Sequence, residues 1–386
     1  MKKCLKFLFI AGLVFLVVGC DDDDKHVAEP IPPIFKEVKM PGEMNIIPGQ
    51  AAQITGLGFS REDKMFLTGA EGTKEVEVLE ATDSYIKFIV PIDAGGEYSV
   101  TIERAEKQTT LNSKLKVPFV VPLTDVELPK AAISQEGEVY IVGKGFENGD
   151  MAKLTATFYP DGTEYGVPVT LTSEGAKFNL PKGTYGVNTI VIERGNRKSN
   201  LGAIIVATNV GDVIGGGIVF WVDTNKAHGY IASKTNVGTA TEQFGPEVDP
   251  SNAAGTSQTM GSGKSNSQKV AAKMAQLRSI NDWPEWRTVK IAAELCEEFS
   301  ITENNLTYTD WFLPSREELI ELFKAKNVLA SKGYPIPANN YWSSSEADGN
   351  SGWAAYYVNF YEDTKIVSEF VSKSGWKIGV RPVRSY

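Results

Sequence analysis

The sequence predicts a multidomain, mostly β protein in which a leader segment precedes two all-β sandwiches and an α+β domain completes the chain. Short alternating apolar runs fill residues 35–209 and recur at a spacing of 87 to 90 residues. Helical patterns appear only from about Gly211 onward, and a short apolar run lies at the N-terminus. A chain of 386 residues is long enough for two or three domains of ordinary size.

The leader is predicted to span residues 1–19. Three lysines precede 12 apolar residues at positions 7–18, whereas a membrane-spanning helix needs about 20. A basic segment before a short apolar run is the layout of a secretory signal peptide. Gly19 followed by Cys20 resembles a bacterial lipobox, which implies cleavage before Cys20 and lipid on its thiol. An ordinary signal peptide with an incidental cysteine is the alternative.

Residues 20–34 are acidic and Pro-rich, and they are predicted to form a semi-rigid tether. The four aspartates at 21–24 resemble the surface-export signal of lipoproteins in one Gram-negative phylum. This resemblance implies a protein anchored through Cys20 in outer-membrane lipid and facing the cell exterior. In enteric bacteria, Asp beside the cysteine instead resembles an inner-membrane retention signal. The match of Asp21 to Lys25 with an enterokinase site is interpreted as coincidence.

The composition excludes several classes of function. The net charge of −9 becomes −12 once the three lysines of the leader are removed, so nucleic acid is not an expected partner. Without Cys4 of the leader and the lipidated Cys20, only Cys296 remains, and no intramolecular disulfide can form. Cys296 lies in an apolar helical pattern and is predicted to be a small buried hydrophobe. A Cys296–His228 dyad is disfavoured.

Two regions of about 85 residues repeat each other. The segment Ile54–Phe59 recurs as Ile141–Phe146 with an offset of 87, and Val100–Arg104 recurs as Ile190–Arg194 with an offset of 90. Such internal repetition is typical of tandem copies of one structural unit. Short period-2 strands with turn residues at regular spacing predict a small β-sandwich for each copy.

The G-x-G-F turn after an opening strand, with a later strand ending in Glu-Arg, resembles the immunoglobulin-like IPT/TIG family. The resemblance implies two immunoglobulin-like sandwiches, residues 35–120 and 121–209, of the kind that serves as spacers or binding modules in bacterial surface proteins. The turn glycines, such as Gly58 and Gly145, are interpreted as a requirement of backbone geometry. A phosphate-binding role is rejected because no helix follows them.

The C-terminal domain, residues 210–386, is predicted to begin with strands over 215–223 and 228–233. A polar, Gly- and Ser-rich stretch at 234–266 is predicted to be loop, and its Gly261–Ser265 segment does not fit a P-loop because no strand precedes it.

Helical patterns then cover 267–277 and 289–299. Ser315 with Glu318 three residues later predicts a capping box at the start of a third helix. From Tyr341 onward the pattern predicts a terminal antiparallel sheet.

Two arginines close this pattern. Arg381 and Arg384 are three positions apart, so a regular strand would place them on opposite faces. We expect each to pair with a carboxylate such as that of Glu317 or Glu346.

Five ordered motifs identify a resemblance for this region. GGIVFWVD, HGYIAS, DWFLPSREEL, YWSSSE and VRPVR look like an uncharacterised bacterial domain family of C-type-lectin-like fold. That family occurs in surface lipoproteins and at the end of a collagen-like bacterial adhesin. The resemblance implies an α+β C-type-lectin-like domain, but fold alone does not assign activity. The calcium-binding motifs of the lectins and the cysteine pair of the formylglycine-generating branch are missing, so no metal and no cofactor are expected.

Aromatic residues supply the candidate binding site. Trp311 and Trp342 lie within the motifs among apolar neighbours and are predicted to be core. Exposed rings stack on sugars and anchor partners. The ligand-binding candidates lie in two segments. Trp283, Trp286 and Arg287 are in a polar stretch between helices, and Trp353 and Tyr356 follow a Gly- and Asn-containing loop. The most useful single observation would be whether Trp283, Trp286 and Trp353 are exposed together around one concavity.

These observations predict a lipid-anchored cell-surface binding protein, an adhesin or glycan-binding protein, which displays a lectin-like domain on a β-sandwich stalk. Its expected partners are membrane lipid through Cys20 and a host or dietary glycan or a surface protein. No nucleophile–base pair or metal-ligand set has readable spacing, so an enzyme is not expected. The alternative is a structural or assembly subunit of an outer-membrane surface complex with no small-ligand site.

Overall fold

A computed structural model describes the chain over four ranges, 32–160, 162–280, 284–347 and 352–386. Most of the regular structure is β-strand, as predicted. Within the described ranges, no helix is both long and apolar enough to cross a membrane. The predicted lipidation site, Cys20, lies outside the described residues.

Contacts divide the chain into two compact units. The first runs as far as Val117, and the second runs from Pro118 to Tyr386, with two short segments, Ile47–Gly49 and Ile92–Gly95, grouped with the second. The second unit therefore contains both the second copy of the repeat and the C-terminal domain.

The first unit is built from antiparallel strands arranged in sheets. These strands are β1 (Lys36–Lys39), β2 (Ala51–Leu57), β3 (Lys64–Gly69), β4 (Gly72–Val76), β5 (Val78–Thr82), β6 (Tyr85–Ile89), β7 (Gly96–Arg104), β8 (Lys107–Thr110) and β9 (Leu115–Val117). One sheet has the order β1-β2-β6-β5, and the other has the order β4-β3-β7-β8, with β9 also paired with β7. Burial alternates along β2, where Ala52 and Ile54 are buried between exposed neighbours, so the predicted half-buried strand pattern is confirmed.

The second copy of the repeat forms a similar pair of sheets. Its strands are β10 (Thr124–Glu127), β11 (Glu138–Lys144), β12 (Met151–Thr155), β13 (Tyr165–Pro168), β14 (Thr170–Leu171), β15 (Gly175–Asn179), β16 (Gly186–Arg194) and β17 (Arg197–Val206). The sheet orders are β10-β11-β15-β14 and β13-β12-β16-β17. Ile141 and Phe178 of one sheet share a core cluster with Leu154 and Ile192 of the other, which makes a sandwich.

The repeated Glu-Arg ending has a structural cause in both copies. Arg104 donates from Nε to Asp63 Oδ1 (2.6 Å) and from Nη2 to Asp63 Oδ2 (2.9 Å). Arg194 makes the same bidentate contact with Asp150, at 2.6 and 2.9 Å. Both aspartates are buried, so each arginine neutralises a carboxylate that would otherwise be costly to bury.

The repeated glycines are required by the backbone, as predicted. Gly58 and Gly145 have φ of +99° and +90°, in the region that favours glycine. A Cβ on Gly58 would lie 2.3 Å from the carbonyl oxygen of Ile34, and one on Gly145 would lie 2.4 Å from that of Pro122. Each glycine carbonyl also accepts a hydrogen bond from the arginine of its own copy.

The C-terminal domain mixes short strands with helices. Its strands are β18 (Val213–Ile214), β19 (Gly217–Val222), β20 (Gly229–Ser233), β21 (Val237–Glu242), β22 (Ile301–Glu303), β23 (Leu306–Tyr308), β24 (Asn340–Glu346), β25 (Ala354–Asn359), β26 (Val367–Ser372), β27 (Ile378–Val380) and β28 (Val383–Ser385). Its described α-helices are α1 (Gly263–Ser279), α2 (Ala292–Glu297) and α3 (Arg316–Ser331). The sheet orders are β18-β19-β20-β28, β21-β27-β24-β25-β26 and β22-β23.

Two strand features differ from the sequence prediction. β21 lies in the stretch predicted to be loop, because it gains its hydrogen bonds from the distant β27, where Val237 pairs with Val380. The terminal sheet is not wholly antiparallel, since β27 inserts beside β24 and the pair Tyr341–Gly379 is parallel. Both differences depend on contacts that are remote in sequence.

The predicted capping box at the third helix is confirmed. Ser315 Oγ accepts from the Glu318 backbone amide (3.3 Å), and Glu318 Oε2 accepts from the Ser315 amide (2.9 Å). The other Glu318 oxygen accepts from the amides of Gly261 (3.0 Å) and Gly263 (3.2 Å). One buried carboxylate thus satisfies donors at the starts of both α1 and α3.

The core of this domain contains the tryptophans that the motifs predicted. Trp311 and Trp342 are 2% and 0% exposed, respectively. Cys296 is a free, fully buried cysteine in the same cluster as Trp342, as predicted for a small hydrophobe. Burial raises the pKa of its thiol well above the ordinary value, which makes it a poor nucleophile at neutral pH.

One of the closing arginines pairs with a carboxylate as predicted, but not with that of Glu317 or Glu346. Arg384 pairs with Asp310, at 2.7 Å, whereas Arg381 Nη1 donates to Asn236 Oδ1 at 3.0 Å. Glu346 pairs instead with Lys373, at 2.7 Å. Burial lowers the pKa of Arg381 to about 10. Arg384 lies on β28, which pairs with β20, and its guanidinium also donates to the Phe158 carbonyl of the second sandwich.

The second sandwich and the C-terminal domain share an aromatic cluster. This junction cluster includes Tyr159 and Tyr185 from the sandwich, together with Tyr308, Trp311 and Tyr386 from the C-terminal domain. Tyr185 and Tyr386 meet edge to face with ring centroids 5.2 Å apart. Such packing gives the junction the character of a domain core.

Candidate functional site

Among the described residues, the predicted binding residues do not form one exposed group. Trp286 ends the short turn Pro284–Trp286, is 6% exposed and packs in the core with Val270 and Met274. The expectation of an exposed ring at Trp286 is therefore corrected, because the indole fills space between the helices. Arg287 is exposed, and Trp283 lies outside the described residues.

Trp353 and Tyr356 lie together on and beside β25, and the structure adds Phe370 to them. Phe370 is directly opposite Tyr356 in the antiparallel pair of β25 and β26. Its ring centroid lies 5.8 Å from that of Tyr356 and 6.0 Å from that of Trp353, with interplanar angles of 90° and 78°. We call Trp353, Tyr356 and Phe370 the aromatic corner.

The aromatic corner is open to solvent because helix α3 covers only part of this sheet face. Val358 and Phe360, farther along the chain from Trp353, are buried in one cluster with Leu319 and Phe323 of α3. Trp353 and Phe370 remain 48% and 49% exposed, respectively, whereas Tyr356 is 8% exposed. Two large rings thus lie at the surface, one on β26 and one in the turn before β25.

Arg316 covers the ring of Tyr356. It is the first residue of α3, and its guanidinium carbon lies 4.4 Å from the ring centroid. Its Nε donates to Ser368 Oγ (2.9 Å) and its Nη1 to Gln258 Oε1 (2.5 Å). These contacts hold a cation at one side of the aromatic corner in a single orientation.

A carboxylate lies at another side of the corner. Ser372 of β26 pairs with Ala354 of β25, and its hydroxyl donates to the exposed Glu247 carboxylate. Ser374 Oγ donates to the same carboxylate, at 2.9 Å. These two hydrogen bonds lower the pKa of Glu247 below its ordinary value, so the group is a fixed acceptor at neutral pH.

The arrangement offers ring faces together with donors and acceptors of both charges. Aromatic rings bind the apolar faces of sugar rings, while carboxylate, guanidinium and hydroxyl groups bind their hydroxyls. Among the described residues, no group of three or more His, Cys, Asp or Glu side chains is placed to hold a metal ion.

Sequence reasoning missed Phe370, Arg316 and Glu247. Phe370 follows the period-2 pattern of β26, and its outward position could have marked it as an exposed aromatic. Its register against Tyr356 has no local signal, because cross-strand pairing depends on the intervening turn and packing. Arg316 has a weak signal, since a cation in the first turn of a helix opposes the helix dipole.

Comparison with known proteins leaves the family open. No protein-family model matches the chain, and no curated protein matches it. One similar solved structure is SGBP-B of a Bacteroides ovatus mixed-linkage glucan utilization locus, in complex with a mixed-linkage heptasaccharide. It is 17% identical over 48% of this chain and 46% of that chain, with a TM-score of 0.21. This chain therefore spans about half the length of that protein.

Two further structures have similar weak likeness. A fimbrial protein from Bacteroides ovatus is 12% identical over 88% of this chain and 94% of its own, with a TM-score of 0.30. SGBP-B from a complex xyloglucan utilization locus in Bacteroides uniformis is 14% identical over 55% of this chain and 64% of its own, with a TM-score of 0.18. Such low identities and TM-scores carry no inference about this chain.

Proposed function

We propose that this protein is a non-enzymatic glycan-binding protein of the cell surface, and that its C-terminal domain contacts saccharides through the aromatic corner. The observation that carries the proposal is the side-by-side exposure of Trp353 and Phe370, which are 48% and 49% exposed with ring centroids 6.0 Å apart. Exposed aromatic rings held together by structure are typical of binding anchors.

The geometry suits a saccharide better than a flat aromatic ligand. The rings of Trp353 and Phe370 are 78° apart in plane, so they form two walls of a corner. A sugar ring that stacks on one wall presents its edge to the other. In the proposal, Arg316 and Glu247 bind hydroxyl groups of the sugar, one as donor and one as acceptor.

The remainder of the chain would present this site. In the proposal, lipid on Cys20 anchors the protein in the outer membrane, facing the exterior. The regions 35–120 and 121–209 act as immunoglobulin-like spacers, and 210–386 is a C-type-lectin-like domain.

Titration calorimetry and affinity electrophoresis of the full chain with soluble plant β-glucan, xylan, galactomannan and mucin O-glycans test the proposal. We expect at least one to bind, and we expect Trp353→Ala or Phe370→Ala to weaken binding about tenfold or more, equivalent to roughly 1.4 kcal/mol. Tyr361→Ala is the matched control, because Tyr361 is 63% exposed beyond the far end of β25.

Binding by the wild type that neither corner variant weakens would overturn the site. A wild type that binds none of these glycans, but co-purifies from outer membranes with a fixed protein partner, would replace the proposal with the assembly-subunit alternative.

A further inference from the structure

We propose a second saccharide site, for a neutral oligosaccharide, in a cleft at the junction of the second sandwich and the C-terminal domain. The junction cleft consists of two neighbouring recesses of about 500 and 640 Å³. Thr163, Leu306 and Tyr308 line both of them. Volumes of this size, at a boundary between domains, are typical of ligand sites. This site is separate from the aromatic corner and does not depend on it.

The walls of the cleft are fixed by the buried side chain of Arg384. Its guanidinium donates to Asp310 at 2.7 and 3.1 Å, to Tyr185 Oη at 3.1 Å and to the Phe158 carbonyl at 2.6 Å. Arg384 is 1% exposed. Because these contacts and the junction cluster join both walls, the cleft exists before any ligand arrives, which lowers the entropic cost of binding.

The hairpin of β22 and β23 separates the two recesses. Its turn residues, Asn304 and Asn305, have φ of +52° and +64°, as a two-residue hairpin turn requires. Asn304 lines the larger recess and Asn305 the smaller one. Amide groups that can both donate and accept hydrogen bonds therefore face both recesses.

The charges of the cleft are mostly neutralised within the protein. Glu303 pairs with Lys234 at 2.6 Å, and Glu164 pairs with Lys153 at 2.7 Å. Asp310 is likewise paired with Arg384. An ionic ligand would therefore gain little from these three pairs.

The remaining polar lining consists largely of hydroxyl and amide groups. These side chains are Gln135, Thr157, Thr163, Asn304, Asn305, Thr307 and Thr309. Glu136 and Lys182, of opposite charge, line the larger recess, and the exposed Lys264 lines the smaller one. This chemistry matches a hydroxyl-rich chain of sugar rings.

The test is titration calorimetry of the full chain with cellohexaose, xylohexaose and mannohexaose, and with oligogalacturonate as an acidic probe. Thr163→Trp places a bulky ring at a residue that lines both recesses. Thr307→Trp places one at an exposed position in the smaller recess. We expect both to weaken binding of a neutral probe at least tenfold. Thr170→Trp, on the exposed strand β14, is the matched control. Trp353→Ala should leave cleft binding unchanged.

Three outcomes would overturn the cleft proposal: no neutral hexasaccharide binds at millimolar concentration, both cleft variants bind like the wild type, or only oligogalacturonate binds. Loss of all binding in Trp353→Ala alone would support the aromatic corner and reject the cleft. Loss of binding in Thr307→Trp, with binding by Trp353→Ala unaffected, would support the cleft and reject the aromatic corner. The melting temperature of each variant shows that it is folded.

Discussion

Arg384 and Asp310 form an ion pair at 2.7 Å across the junction cluster, with the arginine side chain 1% exposed and the aspartate 36% exposed. The guanidinium also binds the Phe158 carbonyl of the second sandwich, at 2.6 Å. One side chain close to the C-terminus thus joins two parts of the second unit, which the sequence alone presents as independent domains.

Arg384→Met should destabilise the second unit by about 3 kcal/mol, because it leaves the Tyr185 hydroxyl and two carbonyls without their donor. Urea unfolding followed by tryptophan fluorescence measures this loss. Arg287→Met, at an exposed arginine, should change the free energy of unfolding by less than about 0.5 kcal/mol. Equal stability of the two variants would mean that the junction contributes little.

Asp63→Ala should destabilise the first unit, and Asp150→Ala should destabilise the second, by about 2 to 3 kcal/mol each. Each change removes the carboxylate whose two oxygens accept hydrogen bonds from the arginine of that copy. Scanning calorimetry resolves which transition moves. Glu62→Ala, at the exposed neighbour of Asp63, is the control and should move neither. The prediction would be contradicted if Asp63→Ala shifted the melting transition of the second unit, or if Asp150→Ala shifted that of the first.

The Glu318 carboxyl should make stability depend on pH. Burial raises its pKa above the ordinary 4.5, although backbone amides of Ser315, Gly263 and Gly261 oppose this shift. The unfolded chain therefore loses this proton at lower pH than the folded chain does. The contribution of the Glu318 carboxyl to the free energy of unfolding is fully present below pH 4.5 and is lost as pH rises toward neutrality.

Urea unfolding between pH 4 and 7.5 tests this expectation with the variant Glu318→Gln, which cannot titrate. Its stability relative to the wild type should rise with pH, whereas the exposed Glu317→Gln should parallel the wild type. A constant difference between the wild type and Glu318→Gln over this range would falsify the prediction.

Arg316→Ala should weaken glycan binding at the aromatic corner three- to tenfold. The variant loses the contact over Tyr356, which contributes about 0.5 to 2 kcal/mol. It also removes a cation from the first turn of α3, where the helix dipole opposes it by about 0.3 to 1 kcal/mol. Calorimetric binding and thermal melting separate the two effects. Unchanged affinity would show that Arg316 only supports the fold.

Cys20→Ala should release the protein from the membrane without changing the melting of its folded units. The lipobox resemblance implies that this thiol carries the lipid anchor. Fractionation of cells, with metabolic labelling by palmitate, measures the effect. A variant that stays in the membrane fraction would refute lipidation at this position.

Much of the local structure could be predicted from the sequence. The alternation in β2, the turns at Gly58 and Gly145 and the capping box of Ser315 and Glu318 agree with it. Each of these features depends on residues a few positions apart, or on a repeat that shows the same requirement twice. The candidate site was predicted only in part, since Trp353 and Tyr356 lie in it but Trp286 does not.

The mostly β character, the repetition of the sandwich and the local caps can be read from the residues alone, because these features follow from periodicity and short-range hydrogen bonding. Three contacts of the folded chain cannot be read in this way: Phe370 faces Tyr356, Trp286 is buried, and Arg384 meets Asp310, 74 positions away. Strand register and the packing of remote segments set these contacts. A local pattern of residue types indicates which side chains are able to pair. It does not indicate which residues, distant in sequence, the fold brings into contact.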